Sequence, residues 1–170
     1  METVAVYSES KIRTYGFDLQ EGLNLMEMDL ADDNTHGWAN ELCRLAGERD
    51  RFEWITAWGG QGSSLRLWLL YDADAARTLT GHMAGVPLKP PVQVDVISFQ
   101  GPHFGDRHGI ADYTLTALAA HGINPMGMTC SVSGISLVLP HGRGQTVTAI
   151  LRSAFEIPHK TRSKARIELD

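Results

Sequence analysis

Cysteine is scarce: the 170 residues include only Cys43 and Cys130. Two isolated thiols with no CxxC spacing exclude a disulfide framework and point to reduced, unpaired cysteines in the cytoplasm. Positive charge is also in short supply, with 15 Lys plus Arg against 20 Asp plus Glu and a net charge of −5. A general nucleic-acid or membrane-surface binder needs a basic field, so both classes are disfavoured. METVAVYSESKIR has no basic start followed by an apolar run, so no secretory leader is expected. The one long stretch without Asp, Glu, Lys or Arg runs from Tyr113 to Gly142. It is interrupted by Gly122, Asn124, Pro125, Gly127, Gly134 and Pro140 and is rich in Ser and Thr. It therefore reads as helix, strand, turn and strand rather than as a membrane span.

Chemical motifs are equally sparse. There is no GxSxG, and the seven His are scattered, so no nucleophile–base arrangement is visible. Gly59-Gly60-Gln61-Gly62 and Gly142-Arg143-Gly144-Gln145-Thr146 lack the Lys-Ser/Thr of a phosphate loop; they read as a hairpin turn and a helix start. His103 and His108 flank Asp106, but their spacing fits no standard ligand pair, and no metal or cofactor is expected. Trp38, Trp54, Trp58 and Trp68 crowd the first half. Indoles at such density belong to a core or an interface more often than to a cofactor site.

What is present is a repeated order of elements. Val4–Tyr7 and Lys11–Tyr15 read as a small opening hairpin, and Gly22 as punctuation. LNLMEMDL (Leu23–Leu30) alternates as a strand with Glu27 and Asp29 at its solvated end. ADDNTHG is a capping loop, and Trp38, Leu42, Leu45 and Ala46 recur at helical spacing over Gly37–Glu48. RFEWITAW and LRLWLLY are strands joined by a Gly-rich turn. A second helix carries Ala75, Ala76, Leu79 and Met83. GVPLKPPV, with Pro90 and Pro91, is the best boundary.

The pattern then restarts. VQVDVISF sets Val92, Val94, Val96 and Ser98 against Gln93, Asp95, Ile97 and Phe99. The loop GPHFGDRHG precedes a helix with Ile110, Thr114, Ala117 and Leu118 inward and Gly122 at the left-handed C′ position. INPMGMTCSV and ISLVLP are strands about a Ser-Gly turn. A last helix buries Val147, Ile150, Leu151, Ala154 and Phe155 until Pro158, and Ala165–Leu169 is one short strand.

The order strand, loop, helix, strand, turn, strand, helix thus occurs twice, about 70 residues apart. It predicts an α+β protein of two ferredoxin-like (βαββαβ) sandwiches with antiparallel sheets, one over 1–88 and one over 89–170. Open sheet faces and edges of this kind call for pairing between repeats or between chains.

The second half resembles the ACT domain, and the whole resembles the tandem ACT pair at the regulatory end of aspartokinases. Gly109-Ile110 matches the pair that opens the first helix. Leu118 and Gly122-Ile123-Asn124 match the helix-to-strand step, and Ser133-Gly134-Ile135-Ser136 the turn. FEWITAW is similar to the family's second strand, with Glu53 and Trp58 in place of its Asp and Ser. The resemblance spans roughly residues 20–157 and implies a non-catalytic, amino-acid-binding regulatory module. It further implies a homodimer built through ACT sheets and a possible partner enzyme, with the C-terminal strand returning to the first sheet. No kinase catalytic motif is present.

In this architecture a ligand sits between the first-strand loop and the first helix, its carboxylate on backbone amides and its ammonium on a side-chain acid or amide. In the second half the candidates are Asp106, Arg107, His108, Gly109 and Ile110. In the first half they are Asp33, Asn34, Thr35, His36 and Gly37, with Glu53 on the next strand. The same polar loops would serve equally well as helix caps. The rival reading, an RRM-like RNA binder on the same topology, lacks both the basic charge and the aromatic strand signature it needs.

Overall fold

The computed structural model describes residues 11–30, 52–59, 65–72, 89–102 and 104–157, with the isolated positions 40 and 43. Six strands lie among the described residues: β1 (Gly16–Leu30), β2 (Phe52–Gly59), β3 (Leu65–Tyr71), β4 (Val92–Gln100), β5 (Gly127–Cys130) and β6 (Ile135–Pro140). Two helices, α1 (Ile110–Ala119) and α2 (Gly144–Ala154), complete the described elements. The strands form a single antiparallel sheet in the order β2-β3-β1-β4-β6-β5. The fold is α+β, as the residue pattern predicts. The described strands nevertheless make one continuous sheet, where two separate sheets were expected.

The continuity comes from β1. Its first part, from Gly16, pairs with β4, and its second part, Asn24 to Leu30, pairs with β3. Gly22 was expected to break this strand, but β1 runs through it. Between the pairs Gln20–Val96 and Leu23–Val94, β1 places Glu21 and Gly22 where β4 has Asp95 alone. Two residues opposite one make a β-bulge, and Gly22 takes the positive φ of 73° that the bulge requires.

The extra residue reverses the alternation. Phe17 and Leu19, before the bulge, pack on the helical side with Ile97 and Phe99. Leu23 and Leu25, after it, pack on the other side with Val94, Val96, Val138 and Leu70.

On the helical side, Val147, Leu151 and Phe155 of α2 and Ile110 and Leu118 of α1 close over Ile97, Phe99, Ile135, Leu137 and Leu139. This is the inward face predicted for both helices. Phe155 meets Tyr113 edge-on at 5.2 Å, and the Tyr113 hydroxyl donates to Ala154 O at 2.7 Å. The buried hydroxyls of Thr114 and Thr148 donate to Ile110 O and Gly144 O one turn back, which leaves neither unsatisfied. Helix α1 ends in the predicted left-handed turn. Ile123 N–H donates to Leu118 O and Gly122 N–H to Ala119 O, the two bonds of a Schellman motif, with Gly122 at φ 68°.

Three boundaries differ from expectation. Lys11–Tyr15 does not form a hairpin strand. Arg13 instead bridges in parallel to Glu156, with Thr14 N–H donating to Glu156 O and Glu156 N–H to Ile12 O, each at 2.9 Å. Helix α2 accordingly stops at Ala154, because Phe155 turns extended to make that bridge, before Pro158 is reached. Strand β5 is shorter than INPMGMTCSV, since the Schellman turn holds Ile123 and Pro125 has no N–H to give. The helix expected over 37–48 and the one carrying Ala75, Ala76, Leu79 and Met83, the segment Val4–Tyr7, Trp38 and Ala165–Leu169 fall outside or almost outside the described residues. No helix among the described residues is long and apolar enough to cross a membrane.

The sheet is strongly curled. Strands β2 and β5 stand at its two ends, yet Trp54, Trp58 and Trp68 line one cavity with Met126, Gly127 and Met128. A Cβ on Gly127 would lie 2.7 Å from the Trp68 ring. Replacing Gly127 by Ala therefore pushes the indole aside. The expected result is a loss of about 1–2 kcal/mol in denaturant melts, with an altered tryptophan emission spectrum.

Asp95 lies at the junction of these parts and is fully buried. Its Oδ1 accepts from Gly22 N–H at 3.2 Å and from His141 Nδ1 at 2.9 Å, and its Oδ2 from Gly144 N–H at 2.9 Å. Burial pushes this carboxyl up. The bonds from Gly144, His141, Gly22 and Gly142 together outweigh burial, so it titrates below the usual carboxylate range. A depressed carboxylate stabilises the fold above its unfolded pKa, and that contribution is lost as pH falls through the folded value. Asp95→Asn keeps the shape but turns an NH2 toward donors. A loss of about 3 kcal/mol at pH 7 is expected, and the variant's acid unfolding profile should be flatter than the parent's below about pH 4.

Candidate functional site

The loop after β4 is built by close approaches. A Cβ on Gly101 would collide with the Arg13 carbonyl and the Phe104 ring, and one on Gly105 would lie 2.7 Å from Val132 Cγ1. Phe104 is buried and meets Phe99 edge-on at 5.9 Å. The chain is thus clamped between the lead-in to β1 and the β5–β6 turn before it reaches α1. Gly109 takes φ 82° as the N-cap residue, and Ile110 turns inward.

Asp106, His108 and Gly109 are exposed, and Arg107 is half-buried. All five second-half candidates, Asp106 to Ile110, therefore adjoin the N-terminus of α1. The N-cap residue, Gly109, has no side chain with which to cap that helix end. A helix end of this kind presents backbone N–H groups to an anion.

The first-half candidates are only partly placed. Asp33, Asn34, Thr35, His36 and Gly37 lie outside the described residues. Glu53, near the start of β2, is exposed and accepts from Gln20 Nε2 at 3.1 Å. Gln20 pairs with Val96, well before the loop that follows Gln100. Glu53 therefore does not join the Asp106 loop. Among the described residues no three His, Cys, Asp or Glu come together as metal ligands, and His103 is not described. Cys43 and Cys130 are exposed, free thiols.

Two further features lie on the face of the sheet away from the helices. The first is the tryptophan cleft, a cavity of about 250 Å³. Trp58 meets Trp68 edge-on at 5.3 Å. Trp68 Nε1 donates to Glu27 Oε2 at 3.2 Å, and Lys89 Nζ holds Glu27 Oε1 at 2.7 Å. The Lys89 bond, followed by those from Trp68 and the nearby Arg66 charge, overcomes desolvation and keeps Glu27 below the usual carboxylate range. Trp54 and Trp68 also pack on the Leu23–Val94–Val138 cluster, so these indoles cover the sheet face, as their density in the sequence implied.

The second feature is a cavity of about 490 Å³ over the ends of β1, β4, β6 and β5, lined by Asp18, Ser98, Ser136 and Thr129 among others. The sequence reading missed it. Its one local signal is Ser98, which ends the otherwise apolar face Val92, Val94, Val96; the pairing that assembles the rest is non-local.

No family model and no curated protein matches the chain. Solved structures do. The regulatory subunit of aspartate kinase from Thermus thermophilus, in its ligand-free form, is 17% identical, with 84% of this chain and 99% of that chain covered and a TM-score of 0.68. The corresponding subunit from Thermus flavus is 16% identical, with 85% and 99% covered and a TM-score of 0.69. Aspartate kinase from Synechocystis is 19% identical, with 90% of this chain but 28% of that chain covered and a TM-score of 0.67. The fold of this chain is that of the regulatory, ACT-type modules of aspartate kinases.

Proposed function

We propose that this chain is a non-catalytic regulatory module of the tandem ACT type that binds a small amino acid and reports its presence to a partner enzyme of the aspartate-kinase class. One observation carries the ligand site: the exposed residue Asp106 stands in the loop leading to an α1 N-terminus that opens on Gly109, a residue with no side chain of its own to cap it. The amides at Gly109 and Ile110 take the ligand carboxylate and Asp106 takes its ammonium, with Arg107 and His108 at the rim.

In this reading the chain is two ferredoxin-like units, residues 1–88 and 89–170, that share β1. The first part of β1, β4, β6 and β5 stand in the order of one such sheet, with α1 and α2 on one side. A second ligand site over Asp33–Gly37 and Glu53 belongs to the other unit. The module works in the cytoplasm as a homodimer, and its exposed sheet edges supply the contact. Ligand favours one of two packings of the units by binding it more tightly, and the partner enzyme senses the shift. The fold of free-standing regulatory subunits supports this over a catalytic role, and the net charge of −5 weighs against RNA.

Thermal melts of the full chain with each amino acid at about 10 mM test the reading. A ligand at about 100 times its Kd adds about 2.7 kcal/mol of stability, so at least one amino acid should raise Tm by several degrees. Asp106→Asn should remove the shift while leaving the unliganded Tm within about 1 °C of the parent, since exposed substitutions cost little. No shift with any amino acid overturns the reading.

A further inference from the structure

The sheet face opposite the helices carries a polar line that the α1 loop does not use. Asp18 pairs with Ser98, Ser98 with Ser136 and Ser136 with Thr129, so the four residues form one row across β1, β4, β6 and β5. Paired residues in register project to the same face, and these four line the cavity of about 490 Å³. Ser98 Oγ and Ser136 Oγ are 2.8 Å apart. The next row, Val96 and Val138, is buried and apolar. Valine would have continued that face at Ser98 and Ser136; hydroxyls stand there instead. Ser131 and Ser133 of the β5–β6 turn add two more at the rim.

The volume lies within the range of small-molecule sites. Its charge selects among ligands. Among the described residues of the lining Asp18 is the one carboxylate, and none is Lys, Arg or His. An anionic ligand would meet repulsion and no cation; an ammonium meets a carboxylate. The row spans roughly 14 Å, three inter-strand steps, and each hydroxyl along it can both accept and donate.

We propose that this pocket binds a small primary amine with a polar tail, its ammonium on Asp18 and its tail along Ser98, Ser136 and Thr129. The site lies across the sheet from the α1 N-terminus and does not depend on the amino-acid reading of that loop.

Amide chemical-shift titration of the full-length chain with 5-aminopentan-1-ol tests it, with 1,5-pentanediol and 5-hydroxypentanoate as neutral and anionic analogues of equal length. The amine should saturate with a Kd of about 1 mM or tighter, moving the amides of Ser98, Thr129 and Ser136. The diol and the anion should bind at least about tenfold more weakly, because a charge-assisted bond is lost or reversed. Asp18→Asn, at an exposed position, should remove the preference for the amine, and Ser136→Ala should weaken binding by about threefold. Asp106→Asn should leave the titration unchanged, which separates this site from the loop site. The proposal is overturned if the diol binds as tightly as the amine, if Asp18→Asn keeps the parent affinity, if the shifts map elsewhere, or if about 20 mM amine gives no saturation.

Discussion

The architecture depends on one buried carboxylate. Asp95 joins two pieces of chain that are far apart in sequence: the bulge at Gly22, and the corner between β6 and α2, where the His141 ring and the first amide of α2 at Gly144 both reach it. A charge without solvent contact is tolerated only when its lone pairs are filled, and here they are filled by N–H donors. The arrangement also places negative charge at the positive end of α2, where the helix dipole favours it. Gly144 is required for a steric reason too. A Cβ there would lie 3.1 Å from Asp95 Oδ2 and 2.5 Å from Leu19 Cδ1. Helix, bulge and strand are therefore fitted around the same two oxygens.

The bulge that Asp95 holds lets one strand serve two cores. Without the extra residue, Phe17, Leu19, Leu23 and Leu25 would all face one way. With it, the first pair enters the helical core and the second enters the face where the tryptophans lie. The fourth position beside β4 is taken by β1 from the front of the chain rather than by a strand after α2. Movement of β1 relative to β4 would strain the hydrogen bonds of the Asp95 cluster.

Elements held by local pattern were legible in the sequence. Period two marked β4 and the second part of β1, runs flanking Gly-containing turns marked β2, β3 and β6, period 3.6 marked α1 and α2, and Gly122 marked a helix end with a specific hydrogen-bond scheme. Elements held by distant partners were not. Gly22 read as a break because a bulge and a break use the same residue. Asp95 was grouped correctly with Ile97 and Phe99, but its donors at Gly144 and His141 could not be seen from VQVDVISF. Lys11–Tyr15 was assigned a hairpin partner nearby and found one at Glu156. Of the candidate site, the helix start at Gly109–Ile110 was legible from a Gly before an apolar residue. The Asp18–Ser98–Ser136–Thr129 row required knowledge of register.

The two faces of the sheet carry different chemistry for a reason that follows from the curl. The helical side is filled by side chains from α1 and α2. On the other side the sheet bends toward itself, and the bend brings Trp68 over Gly127, a position where any side chain would intrude. Beyond that contact the apolar filling stops, at the row where Ser98 and Ser136 stand. Hydroxyls at the edge of an apolar face remain wet unless something covers them. The curl therefore makes a closed apolar floor and an open polar rim from the same strands.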